Sequence, residues 1–182
     1  MKLPTKPNGR KWCDRYEKWL HRDLLLAGYS LAEDPQNLNG ADSRSGEEIL
    51  TQLVELEVQT DDRVGRKVRE QVFQVLCSFS ETDFQEQALE LLKARSESIE
   101  EDRLRKYRVE LGEKEVVIAE LLQSLRDDDS FVRGSAAGTL GQWGKNSDAV
   151  CHQILEWLDR NSDSESIGHG IDALWDAMVN ES

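Results

Sequence analysis

Long apolar runs are missing from this 182-residue chain: no stretch reaches the roughly 18 residues that a membrane-spanning helix requires. Residues 1–20 also lack the apolar centre of a signal peptide, so cytoplasmic residence is the default expectation. Cysteine is scarce. Cys13, Cys77 and Cys151 are odd in number, widely spaced and form no C-x-x-C pair, which fits reduced thiols rather than a disulfide framework. Cys77 falls on an apolar stripe and reads as core packing. Three prolines and 7% aromatic residues beside 32% charged residues suit helices far better than sheets. Basic charge is also in deficit. With 23 Lys/Arg against 36 Asp/Glu, the net charge of −13 argues against a DNA- or RNA-binding protein, which needs a clustered basic face. Residues 1–22 depart from this, holding seven Lys/Arg against two carboxylates.

What the chain does contain is helical periodicity, clearest over residues 116–144. Val117, Leu121, Leu122 and Leu125 form one stripe, and Val132, Ala136, Ala137 and Leu140 form another. The acidic turn Asp127-Asp128-Asp129 separates them. Two amphipathic helices in a hairpin must bury their stripes against each other and against further hairpins. Asp129 is placed to cap the second helix, and Ala136 and Ala137 allow close helix approach.

Leu121, Leu122, Leu125, Asp127, Asp129, Val132, Arg133, Ala136, Ala137, Leu140 and Gly141 together resemble a HEAT repeat of the short bacterial type. The resemblance implies that Asp129 and Arg133 have structural roles, tying the helices of one repeat to the next. It also implies an all-α fold, a short α-solenoid of about five antiparallel helix pairs.

The rest of the chain can be read in the same terms. Residues 1–34 form a basic N-terminal helical cap and residues 35–182 the repeat domain. In the cap, Trp12, Tyr16, Trp19 and Leu20 recur at helical spacing among Arg10, Lys11, Arg15 and Lys18. A second helix carries Leu24, Leu25, Leu26, Ala27 and Leu31 and ends near Asp34-Pro35. Ser45-x-x-Glu48 reads as a capping box opening a helix with Ile49, Leu50, Leu53, Leu56 and Val58. The following Val68, Arg69, Val72, Phe73 and Leu76 repeat the spacing found around Arg133. Further boxes are expected at Thr82/Gln85, Ser98/Glu101 and Ser162/Glu165, with Ser147 opening another helix. The last helix would bury Ile167, Ile171, Leu174, Trp175 and Met178, and Gly168 replaces the arginine of the repeat pattern. The helix after Ser98 reads as irregular, because Leu104, Tyr107, Val109 and Leu111 stand in a charged background.

No catalytic constellation is visible. His21, His152 and His169 are far apart, and Cys151-His152 are adjacent and so diverge on a helix; no metal site is expected. Gly134, Gly138, Gly141 and Gly144 follow no strand and lead to no G-K-S/T, so helix packing explains them better than a phosphate loop, with Gly144 as the helix stop. The Asp127–Asp129 run lacks the spaced ligands of a calcium loop. No cofactor follows.

The expectation is therefore a non-enzymatic protein-protein interaction or scaffold module, binding through the concave face or the C-terminal end of the solenoid. Candidate binding residues are Arg66, Arg69, Ser135, Gln142, Trp143 and His169. Trp157 and Trp175 read as core, and Trp143 as partly exposed. A protein partner is expected, and the oligomeric state is left open. Two alternatives stand beside this. Some short HEAT-like proteins resemble bilin lyases, for which Cys151 with Trp143 and Trp157 would be the candidate site. Leu24 to Ala27, Leu31, Ala32 and Glu33, followed by degenerate hairpins, are similar to the start of the sensor half of bacterial NACHT-type NTPases, which implies a detached ligand-sensing part.

Overall fold

A computed structural model describes residues 20–33, 43–59, 64–164 and 166–179. Among them every regular element is a helix and there is no strand. The basic helix expected over residues 10–21 lies almost wholly outside the described residues. The chain forms two compact units, Met1–Gly112 and Glu113–Ser182.

In the first unit the helices are α1 (Arg22–Glu33), α2 (Ser43–Val58), α3 (Arg66–Cys77), α4 (Gln85–Ala94) and α5 (Glu101–Arg108). A short 3-10 turn, Ser96–Ser98, precedes α5, and a π turn, Val109–Glu113, follows it. Helix α2 packs against α1, α3 and α4, and α5 packs against α3 and α4. Each contributes one apolar stripe to a single core. Leu31 of α1, Leu50 and Leu53 of α2, Val72, Val75 and Leu76 of α3, and Leu92 of α4 are fully buried, joined by Phe79 and Tyr107. Burying each leucine fully contributes about 1.5–3 kcal/mol, which makes this cluster the main stabilising term of the unit.

The helix starts depart from the expected boxes. Helix α2 begins at Ser43, so Ser45 lies in its first turn and is not the cap. Between α3 and α4 the box works one residue out of phase: the Gln85 side chain accepts from the Glu81 amide, while Thr82 Oγ1 accepts weakly from the Phe84 amide at 3.3 Å. That geometry holds Glu81 in the left-handed region at φ 63°. Helix α5 starts at Glu101, later than a Ser98 cap would place it: Ser98 belongs to the preceding turn and Glu100 occupies the cap without a side-chain bond. The helix does end at Leu111-Gly112. Gly112 takes φ 94°, which a side chain would resist, and its Cα faces the Gln85 side chain.

The second unit consists of α6 (Lys114–Ser124), α7 (Ser130–Gly144), α8 (Asp148–Arg160) and α9 (Ile167–Met178). These make two hairpins, α6–α7 and α8–α9. Helix α7 packs chiefly on α9, and α6 touches α8. Val117, Ile118 and Leu121 of α6 and Leu125 at its C-cap are buried, as are Ala136, Ala137 and Leu140 of α7 and Val150, Ile154 and Trp157 of α8. Ser147 stands at the N-cap of α8 as expected, whereas α9 starts at Ile167, later than Ser162 and Glu165 suggested.

Candidate interaction surfaces

The second unit is organised by one close helix crossing. Gly141 and Gly144 of α7 face Ala173, Asp176 and Ala177 of α9: a methyl group built on Gly141 would lie 2.7 Å from Asp176 Cβ, and one on Gly144 only 2.5 Å from Ala177 Cβ. Neither glycine takes a left-handed conformation: α7 runs through Gly144 to a right-handed Lys145 at its C-cap, so Gly144 is not a backbone-reversing helix stop. Gly134 and Gly138, on another face of α7, have nothing within 4 Å.

This crossing decides which face of α9 is buried. The helix turns its small stripe inward, Gly170, Ala173 and Ala177, because only small side chains fit against glycines at that separation. The large apolar residues are thereby rotated outward. Ile171 is 52% exposed, Trp175 67% and Met178 72%, which corrects the expectation that they form core. Their spacing of four and three places them on one face. Trp157 is buried, as expected, and closes over Gly170 of α9. Asp172 and Asp176 are exposed on α9 beside the apolar stripe.

Upstream, Asp129 caps α7 by accepting from the Phe131 amide at 2.8 Å, and its own amide donates to Asp127 Oδ1 at 2.9 Å. Arg133 reaches back from the helix, Nη1 donating to the Asp127 and Asp128 carbonyls at 2.8 and 2.9 Å. These bonds fasten the turn of its own hairpin. Ser135 and Gln142 are exposed on α7, while Trp143 and His169 are half-buried. Cys151 is half-buried, its thiol donating to the Gly144 carbonyl at 3.3 Å.

The first unit holds the other two candidate residues, Arg66 and Arg69, so the six do not share a unit. Arg66 is exposed at the start of α3 and Arg69 is half-buried one turn on. They line a cleft of about 610 Å³ whose floor is an ion pair that sequence reading missed. Glu57 of α2 is buried on the apolar side of its helix. Arg103 of α5 grips it through Nε and through Nη2, the latter at 3.0 Å, and also donates to the Arg69 carbonyl at 2.8 Å. The guanidinium lies over the Phe73 ring at 5.0 Å and near Tyr107 at 5.7 Å, and those rings contact each other at 4.7 Å. Its bond to Glu57 holds the Arg103 pKa up, and burial followed by the Glu57 charge pushes that of Tyr107 up. Cys77 is pushed up to about 12, first by burial and then by Glu110.

A single acid on the apolar stripe Leu53-Val54-Leu56 was the signal for Glu57, because a buried carboxylate demands a cationic partner. Arg103 and Tyr107, one turn apart on α5, supply that partner and its ring.

No protein-family model, curated protein or solved structure matches the chain.

Among the described residues no helix is long and apolar enough to cross a membrane, and no three His, Cys, Asp or Glu side chains come together as metal ligands.

Proposed function

We propose that this protein is a non-catalytic, HEAT-like interaction module whose C-terminal hairpin docks a helix of a partner protein. The observation that carries the proposal is the uncovered stripe Ile171, Trp175 and Met178. Large exposed apolar side chains on one helix face mark an interaction surface, and tryptophan is a favoured interface anchor. The flanking Asp172 and Asp176, within a chain of net charge −13, select the partner's chemistry: an amphipathic helix with basic residues beside its apolar face. Small-on-small packing of α7 on α9 and the repeated hairpins support reading the chain as part of a HEAT-like superhelix of paired helices. The half-buried Trp143 and His169 and the exposed Gln142 stand as secondary candidates on the same unit.

The test uses the full chain and two short synthetic helices sharing an apolar face, one flanked by lysines and one by glutamates. Saturable binding of the basic helix, lost in Trp175→Ala and absent for the acidic helix, is expected. Equal binding to wild type and Trp175→Ala would refute the proposal.

A further inference from the structure

We propose that the α9 stripe is covered by residues 10–21 of a second copy of this chain, so that the protein associates with itself through its own basic N-terminal segment. This inference rests on the reading of α9 as the docking face for a basic amphipathic helix, and it names that helix.

Three observations carry it. The first is charge. Residues 1–22 hold seven Lys/Arg against two carboxylates, whereas residues 113–182, the second unit, hold five Lys/Arg against fourteen Asp/Glu. A basic segment joined to an acidic body is drawn to the acidic unit of another copy.

The second is pattern. Trp12, Tyr16 and Trp19 follow the spacing of Ile171, Trp175 and Met178, four residues and then three, which makes a single apolar stripe on a helix. Lys11, Arg15 and Lys18 each precede a member of the first stripe, and Asp172 and Asp176 each follow a member of the second. Two such helices packed parallel, apolar stripes facing, bring the basic flank of one beside the acidic flank of the other. Large rings also find room there. Helices α7 and α9 correspond in their buried positions, Ala137 with Gly170, Leu140 with Ala173 and Gly144 with Ala177, which sets Gly138 and Gln142 on the same face as Ile171 and Trp175. Gly138 has nothing within 4 Å, so the surface beside the stripe is open.

The third is the described end of the segment. Leu20, the last member of its apolar stripe, is helical and 41% exposed, and His21 takes φ 48°, which separates it from α1. The first unit of the same chain therefore leaves that end of the stripe uncovered.

Sedimentation equilibrium of the full chain at low ionic strength tests the inference. The mass should rise with concentration from 20.8 kDa towards twice that value, and fall back in high salt. Trp175→Asp, an exposed position, and Trp19→Asp should each stay at the single-copy mass while folded by circular dichroism. An equimolar mixture of the two should regain association, because one brings an intact segment and the other an intact stripe. An excess of a synthetic peptide of residues 10–21 should return the wild type to single copies. A wild type that stays at 20.8 kDa throughout, a Trp175→Asp variant that associates like wild type, or a peptide without effect overturns the inference. On a protein that stays single, the lysine-flanked synthetic helix separates the two claims: if it binds α9, only self-association falls, and if it does not, the reading of α9 falls as well.

Discussion

Arg103 and Glu57, separated by 46 positions, form a two-pronged ion pair that ties α5 to α2 across the first unit. The Glu57 side chain is 2% exposed and that of Arg103 25%. A carboxylate so well covered is tolerated only because both oxygens are bonded. Removing one partner leaves the other uncompensated, so Glu57→Ala should cost about 3 kcal/mol. The double variant Glu57→Leu/Arg103→Met should recover most of that loss. Urea titrations of the three proteins measure both effects, and a loss in the double variant as large as that of Glu57→Ala would mean that the uncompensated charge is not what costs stability.

The glycines of α7 should behave in two opposite ways. Gly134→Ala and Gly138→Ala add a methyl group in open space and remove backbone freedom from the unfolded chain, so each should stabilise by about 0.5–1 kcal/mol. Gly144→Ala drives the same methyl group into Ala177 and should destabilise by about 1–3 kcal/mol despite its better helix propensity. Thermal melts of the three variants separate the cases.

The Cys77 thiol gives the first unit a pH dependence. Its pKa is raised from 9.0 to about 12 in the folded protein, so between those values the unfolded chain loses a proton that the native chain keeps. Its contribution to stability is full below pH 9.0 and is lost as pH rises towards about 12. Denaturant midpoints should fall over that window in the wild type, and less steeply in Cys77→Val. Native Cys77 should also react slowly with thiol reagents at pH 8 compared with the unfolded chain, because the thiolate is the reactive form.

Two local backbone features can be checked singly. Asp129→Ala removes the acceptor for the Phe131 amide and should cost about 1 kcal/mol. Glu81→Gly relieves a left-handed non-glycine residue but gives up some chain stiffness, for a net gain of about 0.5 kcal/mol. Chemical denaturation with unchanged m-values would show that both change stability without changing the surface exposed on unfolding.

The contrast between α7 and α9 explains how much was readable in advance. Over residues 116–144 the stripes, the acidic turn and the Asp129 cap are local, and the structure reproduces most of them: Val117, Leu121, Leu125, Ala136, Ala137 and Leu140 are buried, while Leu122 and Val132 are half-buried. Gly112 likewise announces its helix end. In α9, two stripes compete at helical spacing. Hydrophobicity alone favours Ile171, Trp175 and Met178, yet the burial is decided by Gly141 and Gly144 on another helix, which admit only Gly170, Ala173 and Ala177. Single-sequence periodicity cannot weigh that non-local constraint. Glu57 with Arg103 fails for the same reason, since their meeting depends on how α5 folds back over α3, and the charged background around Tyr107 concealed a fully buried ring. Arg69 stood out because it repeats the spacing of Arg133, and Arg66 because it falls on the same second helix of its hairpin, whereas the cleft that both line was not readable.

The central claim is that the outward stripe of α9 receives a basic amphipathic helix. Titrating an isotope-labelled sample of the whole protein with such a helix and mapping amide and indole shifts tests it most directly. The account predicts that the largest changes fall on Ile171, Trp175 and Met178. Changes centred instead on the groove of Gln123, Arg126, Gln153 and Arg160 between α6 and α8, or no saturable change, would contradict it.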